Sequence, residues 1–106
     1  MEYNISKNGT YSVIMLEGEV DLYCSPDARK IILKELKKGD DMLIDLSKVS
    51  YIDSSGIACL VEGYQVANKN EIKFALLGVS QGAMNVLKLA RLDNVFTIYN
   101  SFDDIK

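Results

Sequence analysis

The 106-residue chain contains no histidine and no tryptophan. Without histidine there is no Ser-His or Cys-His nucleophilic pair and no imidazole to ligate a metal. Its two cysteines, Cys24 and Cys59, stand far apart. A disulfide scaffold needs more of them, and a zinc site needs closer spacing. Cys59 lies in an apolar helical stretch and reads as a small core residue. One proline and seven glycines leave little room for a flexible linker. Long apolar runs are also missing: the uncharged stretch 74–87 is broken by Gly78, Ser80, Gln81 and Gly82, too polar and too short to span a bilayer. Met1-Glu2-Tyr3-Asn4 has neither a basic nor an apolar region, so no secretory signal and no membrane insertion are expected. A reducing cytoplasm fits this set of absences.

What is present is ordinary globular material, 48% hydrophobic and 25% charged. That length argues for a single domain over 1–106 with one core. Formal net charge is −3, and the basic residues are scattered or paired with acids. Lys34, Lys37 and Lys38 gather at the end of a predicted helix, where they complement its dipole. No basic stripe with interleaved aromatics occurs, so direct nucleic-acid binding is not expected.

Periodicity orders the chain. Residues 3–6 and 10–16 read as strands joined by the turn residues Lys7-Asn8-Gly9. From Pro26 the period becomes helical through Ala28, Ile31, Ile32 and Leu36, with Ser25 as N-cap, Pro26 at the first helical position and Gly39 at the end. Residues 42–46 form a buried strand, 47–50 a turn, and Tyr51-Ile52 a lead-in to the next helix. Ile57, Leu60, Val61, Tyr64 and Ala67 share a face of that helix, which Asn68-Lys69-Asn70 closes. Residues 72–77 are the most strand-like, Ser80 caps a third helix, 95–99 is a last strand, and 101–106 is a tail or final turn. The order β-β-α-β-α-β-α-β predicts an α/β domain with a mixed, partly parallel sheet of about five strands and helices packed against it.

The segment Tyr51-Ile52-Asp53-Ser54-Ser55-Gly56-Ile57 stands out. An apolar pair runs into an acid, two hydroxyls and a glycine at the mouth of a helix, where backbone N–H groups lack partners and negative charge is favoured. Such a place can hold a phosphate, bound or covalent. Asp53 or Ser54 also suits plain N-capping, and the two roles are compatible. Gly56 allows close approach of a partner or of a neighbouring strand. Asp21 follows one strand as the motif follows another, so neighbouring strands would bring the two together. Tyr23 is a candidate contact for a partner. A metal site from Asp21, Asp45 and Asp53 is not expected, since Asp45 sits within a strand and no histidine helps. Gly78-Val79-Ser80-Gln81-Gly82 is explained by a strand-to-helix turn, and Tyr64 and Phe74 by core positions.

Three segments together resemble the STAS domains of bacterial anti-sigma factor antagonists: Gly18-Glu19-Val20-Asp21 before a helix, Leu43-Ile44-Asp45-Leu46-Ser47 with Val49, and Asp53-Ser54-Ser55-Gly56-Ile57. The resemblance covers nearly the whole chain. It implies a partner-switching protein, not an enzyme, that needs no cofactor. Its unphosphorylated form would bind an anti-sigma factor that is also a serine kinase, releasing the sigma factor. The kinase would phosphorylate Ser54, a PP2C-type phosphatase would reverse this, and the free protein would be a monomer. Asp21, Asp53, Ser54, Ser55 and Gly56 would form the partner-binding surface, with Ser55 a local structural hydroxyl. Departures are Cys24 in place of a common threonine and Ala58-Cys59 at a variable pair. An alternative within the same fold is a STAS subunit of a transporter or a stressosome-like scaffold. A receiver domain is a poor fit, because Glu19 and Asp21 are not adjacent and no lysine follows Leu77-Gly78. A hydrolase would need a base near the serine, and neither histidine nor lysine stands by the motif.

Overall fold

A computed structural model describes residues 3–23 and 25–105. The elements are β1 (Asn4–Asn8), β2 (Tyr11–Val20), α1 (Ser25–Leu36), β3 (Asp41–Ile52), α2 (Ser54–Lys69), β4 (Phe74–Leu77), α3 (Gln81–Leu89) and β5 (Thr97–Tyr99). A short 3-10 turn, Phe102–Asp104, follows. This is the order expected from periodicity. β1 and β2 pair antiparallel, and β2, β3, β4 and β5 pair parallel in chain order.

Each parallel step needs a crossover, and crossovers of one hand in one direction put their helices on one face of the sheet. Accordingly Ile32 of α1, Leu60 of α2 and Leu87 of α3 share a core with Ile14, Ile44 and Leu76 of the strands. The opposite face holds a smaller cluster of Val13, Leu43 and Ala75 beneath Tyr11, Tyr99 and Ile105. Because the strand order never reverses, the sheet has no switch point of the kind that opens a ligand crevice in doubly wound folds.

The turn expected over 47–50 is instead part of β3. Pairing passes from Met15↔Asp45 to Glu17↔Lys48, then from Gly18↔Val49 to Glu19↔Tyr51, so β3 carries extra residues at two bulges. At the first, the buried Asp45 carboxylate accepts from the Ser47 N–H (2.9 Å) and hydroxyl (2.7 Å). That local bond mimics a turn in sequence, while β2 alongside keeps the chain in the sheet. Gly18 stands at the second, at φ +73°, a conformation that glycine adopts without strain.

Boundaries shift elsewhere. α1 begins at Ser25, whose N–H donates to the Asp21 carbonyl (2.8 Å), so Pro26 is its second residue. Cys24, with its expected departure, lies outside the described residues, as do Met1, Glu2 and Lys106. The strand expected over 72–77 starts at Phe74, because the N–H groups of Ile72 and Lys73 bond to the Ala67 carbonyl and the Asp41 carboxylate. Val95 bonds back to Leu92, which delays β5 to Thr97. Tyr64 meets Phe74 and Phe96 edge-on, at ring separations of 6.3 and 5.4 Å, in the core as expected. Ser80 caps α3, accepting from Ala83 N–H and donating to the Val49 carbonyl (2.6 Å).

Candidate functional site

β2 and β3 finish side by side at Val20↔Ile52, and the Asp53 N–H donates to the Val20 carbonyl (3.3 Å). Asp21 and Asp53 therefore leave the sheet as neighbours. Asp53 has extended backbone and caps α2. One carboxylate oxygen, Oδ1, accepts from Ser55 N–H (2.9 Å), Gly56 N–H (3.2 Å) and the Ser55 hydroxyl (2.5 Å). The Ser55 hydroxyl, with the N–H groups of Gly56, Ser55 and Leu22, holds the Asp53 carboxyl below the usual carboxylate range, against partial desolvation. Asp53 thus joins the end of β2, through its backbone N–H, to the start of α2, through its side chain.

Ser54 is the first residue of α2 and is exposed. Its hydroxyl has no hydrogen-bond partner among the described residues. Ser55 is half-buried and committed to Asp53. Gly56 is buried, and a Cβ there would lie 2.5 Å from the Val20 carbonyl oxygen and 2.6 Å from Ile52 Cγ1. The close approach is that of the helix to the two strand ends. Gly56 therefore lies beneath the surface that it was expected to help form.

Asp21 builds the adjoining turn. Its carboxylate accepts from Tyr23 N–H (3.0 Å) and its carbonyl from Ser25 N–H, lifting Leu22 and Tyr23 to 68% and 87% exposure. Leu22 was missed in the sequence; the available signal was an apolar residue that fits neither the strand period before it nor the helical period after it. Next to Ser55, α1 and α2 frame a groove of about 320 Å³ lined by Pro26, Arg29, Ser55, Ala58, Cys59 and Glu62. Arg29 grips Glu62 with two bonds of 2.7 and 2.8 Å across the helices. The Cys59 thiol donates to the Ser25 carbonyl (3.2 Å), and burial pushes it up, away from thiolate chemistry. Among the described residues, no three acids or thiols gather as a metal site would require. No helix among them is long and apolar enough to cross a membrane.

The family model for the STAS domain matches residues 2–105. An anti-sigma-B factor antagonist of Listeria monocytogenes is 27% identical over 88 residues, covering 82% of this chain and 77% of the relative. The crystal structure of an anti-sigma factor antagonist from Mycobacterium paratuberculosis superposes with a TM-score of 0.88 at 25% identity, over 97% of this chain and 88% of that one. The Bacillus cell fate determinant SpoIIAA in its phosphorylated form shares the fold at a TM-score of 0.74 and 18% identity, over 96% and 94% of the two chains. The chain belongs to the STAS domain family, and relatives of it there are anti-sigma factor antagonists.

Proposed function

We propose that the unphosphorylated protein binds an anti-sigma factor that is also a serine kinase, freeing the sigma factor, and that phosphorylation of Ser54 ends this binding. A PP2C-type phosphatase restores the active form. The protein acts as a single-domain cytoplasmic monomer, as the substrate of the switch and not as an enzyme. The observation that carries this reading is the Ser54 hydroxyl: exposed, unbonded, and one residue past Asp53 at the level strand ends from which the Leu22–Tyr23 turn projects, in a chain whose relatives are anti-sigma-B factor antagonists. That the fold-alike SpoIIAA has been solved in a phosphorylated form supports it further.

Phosphorylation adds a charge of about −1.5 to −2 at neutral pH. An open helix N-terminus would offset part of it, but Asp53 already occupies the N–H groups of Ser55 and Gly56. Arg29, the base in the adjoining groove, is spent on Glu62. The phosphate therefore stays in water beside Asp21 and Asp53, and a docked partner must strip that water from a dianion. Reversing a complex from nearly all bound to nearly all free takes about 5.5 kcal/mol, which a phosphate at the centre of an interface can supply. Hydrolysis by Ser54 itself lacks a base, since the Asp53 carboxylate is turned to Ser55.

Intact-mass measurement after incubation with the cognate kinase and ATP tests the reading. One added phosphate is expected on wild type and on Ser55→Ala, and none on Ser54→Ala. Stoichiometric phosphate on Ser54→Ala, or none on wild type, rejects it. Stable copurification with a membrane transporter in the second case would point to the transporter-subunit alternative.

A further inference from the structure

Ser54 and Ser55 carry the same hydroxyl one residue apart, yet they stand in opposite states. Ser54 Oγ is exposed and unbonded, whereas Ser55 Oγ is half-buried at the mouth of the α1–α2 groove and donates its proton to Asp53 Oδ1. We infer that Asp53 is the residue that selects the phosphoacceptor, by sequestering the Ser55 hydroxyl and leaving the Ser54 hydroxyl as the free one. The inference rests on the functional reading above and adds to it the cause of the choice between two serines.

Phosphoryl transfer forms a bond between a serine Oγ and the γ-phosphorus of ATP and breaks the bond from that phosphorus to the bridging oxygen, releasing ADP. The hydroxyl proton passes to a base of the kinase. An acceptor must therefore offer a lone pair in line and a proton that the kinase can reach. Ser54 offers both. The Ser55 proton is held by a carboxylate on which the backbone N–H groups of Ser55 and Gly56 also converge. Donors converging on a carboxylate weaken it as a base, so Asp53 retains the hydrogen bond without activating the oxygen. To react, Ser55 must first break a charge-assisted hydrogen bond and turn out of the groove. Asp53 acts through Ser55 and touches no transferring atom; it is a positioning residue.

The test maps phosphate by site after incubation with the purified cognate kinase and ATP. Asp53→Asn and Asp53→Ser both keep an oxygen able to cap α2, and thermal melts establish that they fold. Wild type should carry phosphate on Ser54 alone. In both Asp53 variants phosphate should appear on Ser55 at about tenfold or more over the wild-type background, as expected when a neutral hydrogen bond replaces a charge-assisted one. Ser54→Ala should take none, and adding Asp53→Asn to it should restore incorporation at Ser55. A merely structural Asp53 would lower total incorporation without moving the site ratio. Phosphate confined to Ser54 in the folded variants, or complete loss of phosphorylation in them, overturns the inference alone. A wild-type chain that takes no phosphate overturns the functional reading and this inference with it. Proton NMR of the free protein gives a check without the kinase: a slowly exchanging Ser55 hydroxyl proton in wild type that exchanges faster in Asp53→Asn, where the acceptor is a neutral amide oxygen. Its absence from wild type also defeats the inference.

Discussion

Gly56 and Gly63 lie on the same helix, and a methyl group at each meets different atoms. At Gly56 the nearest is the Val20 carbonyl oxygen, backbone at the paired ends of β2 and β3. At Gly63 it is Ile32 Cγ2 at 2.9 Å, followed by the Phe74 ring edge at 3.0 Å, both side-chain ends that can give. Overpacking that the structure cannot relax costs about 1–3 kcal/mol, so Gly56→Ala should lose about that much. For Gly63→Ala, replacing a mid-helix glycine returns about 0.8–1 kcal/mol of helix propensity, and the net change should be smaller. Urea midpoints of the two variants test the contrast. Equal losses would mean that the approach of α2 to the strand ends is not what requires glycine at 56. The sequence left open whether Gly56 faces a partner or a strand, because a glycine carries no side chain whose chemistry would tell.

Asp45 shows how an element can hide in its own residues. Leu43-Ile44-Asp45-Leu46-Ser47 was legible as a strand followed by polar turn residues, and locally it does make a turn-like hydrogen bond. Whether the chain then leaves the sheet depends on β2, which pairs with β3 as far as Ile52. The bulges let Val20 and Ile52 end together despite the unequal residue counts, and this register is what brings Asp21 beside Asp53. Asp45→Ala would leave the Ser47 N–H and hydroxyl without their buried acceptor, at a cost of about 1–3 kcal/mol. Chemical denaturation measures the loss. A neutral result would show that the bulge is held by strand pairing alone.

At the scale of the molecule, several carboxylates are held below their ordinary range by partners: Asp53 by the Ser55 hydroxyl and backbone donors, Glu62 by Arg29, and Asp40 by Lys7. In each case the folded state binds fewer protons than the unfolded one near pH 4. Their stabilisation is therefore complete above the ordinary carboxylate range and lost as pH falls through the depressed folded values. Tyr11 and Cys59 are raised, chiefly by burial, so their contribution is complete below their ordinary values and lost as pH climbs past the folded ones. The protein should show a stability plateau bounded by acid loss below about pH 4 and alkaline loss above about pH 9. Urea midpoints across pH check both limbs, and Asp53→Asn should flatten the acid one. These acids are open to solvent, so the acid limb should also weaken as salt is added. A midpoint unchanged from pH 7 down through the acid range would refute the assignment.

By itself the sequence determined the element types, their order and the chemistry that is absent. Hydrophobic period, capping serines and turn glycines act over a few residues, and the lack of histidine needs no fold to interpret. It also marked Asp53-Ser54-Ser55-Gly56 as a helix mouth and singled out Asp21. Only the tertiary structure decided that β2 and β3 run parallel with their ends level, that the loop after β2 raises Leu22 as well as Tyr23, and that Gly56 is buried under the site. The resemblance had set Ser54 apart from Ser55, and only the tertiary structure gave the physical difference between them: the hydroxyl of Ser55 is held by a carboxylate whose position depends on the strand register, while Ser54 is exposed. Contacts between segments distant in the chain arise from register and close packing, and no run of neighbouring residues encodes them.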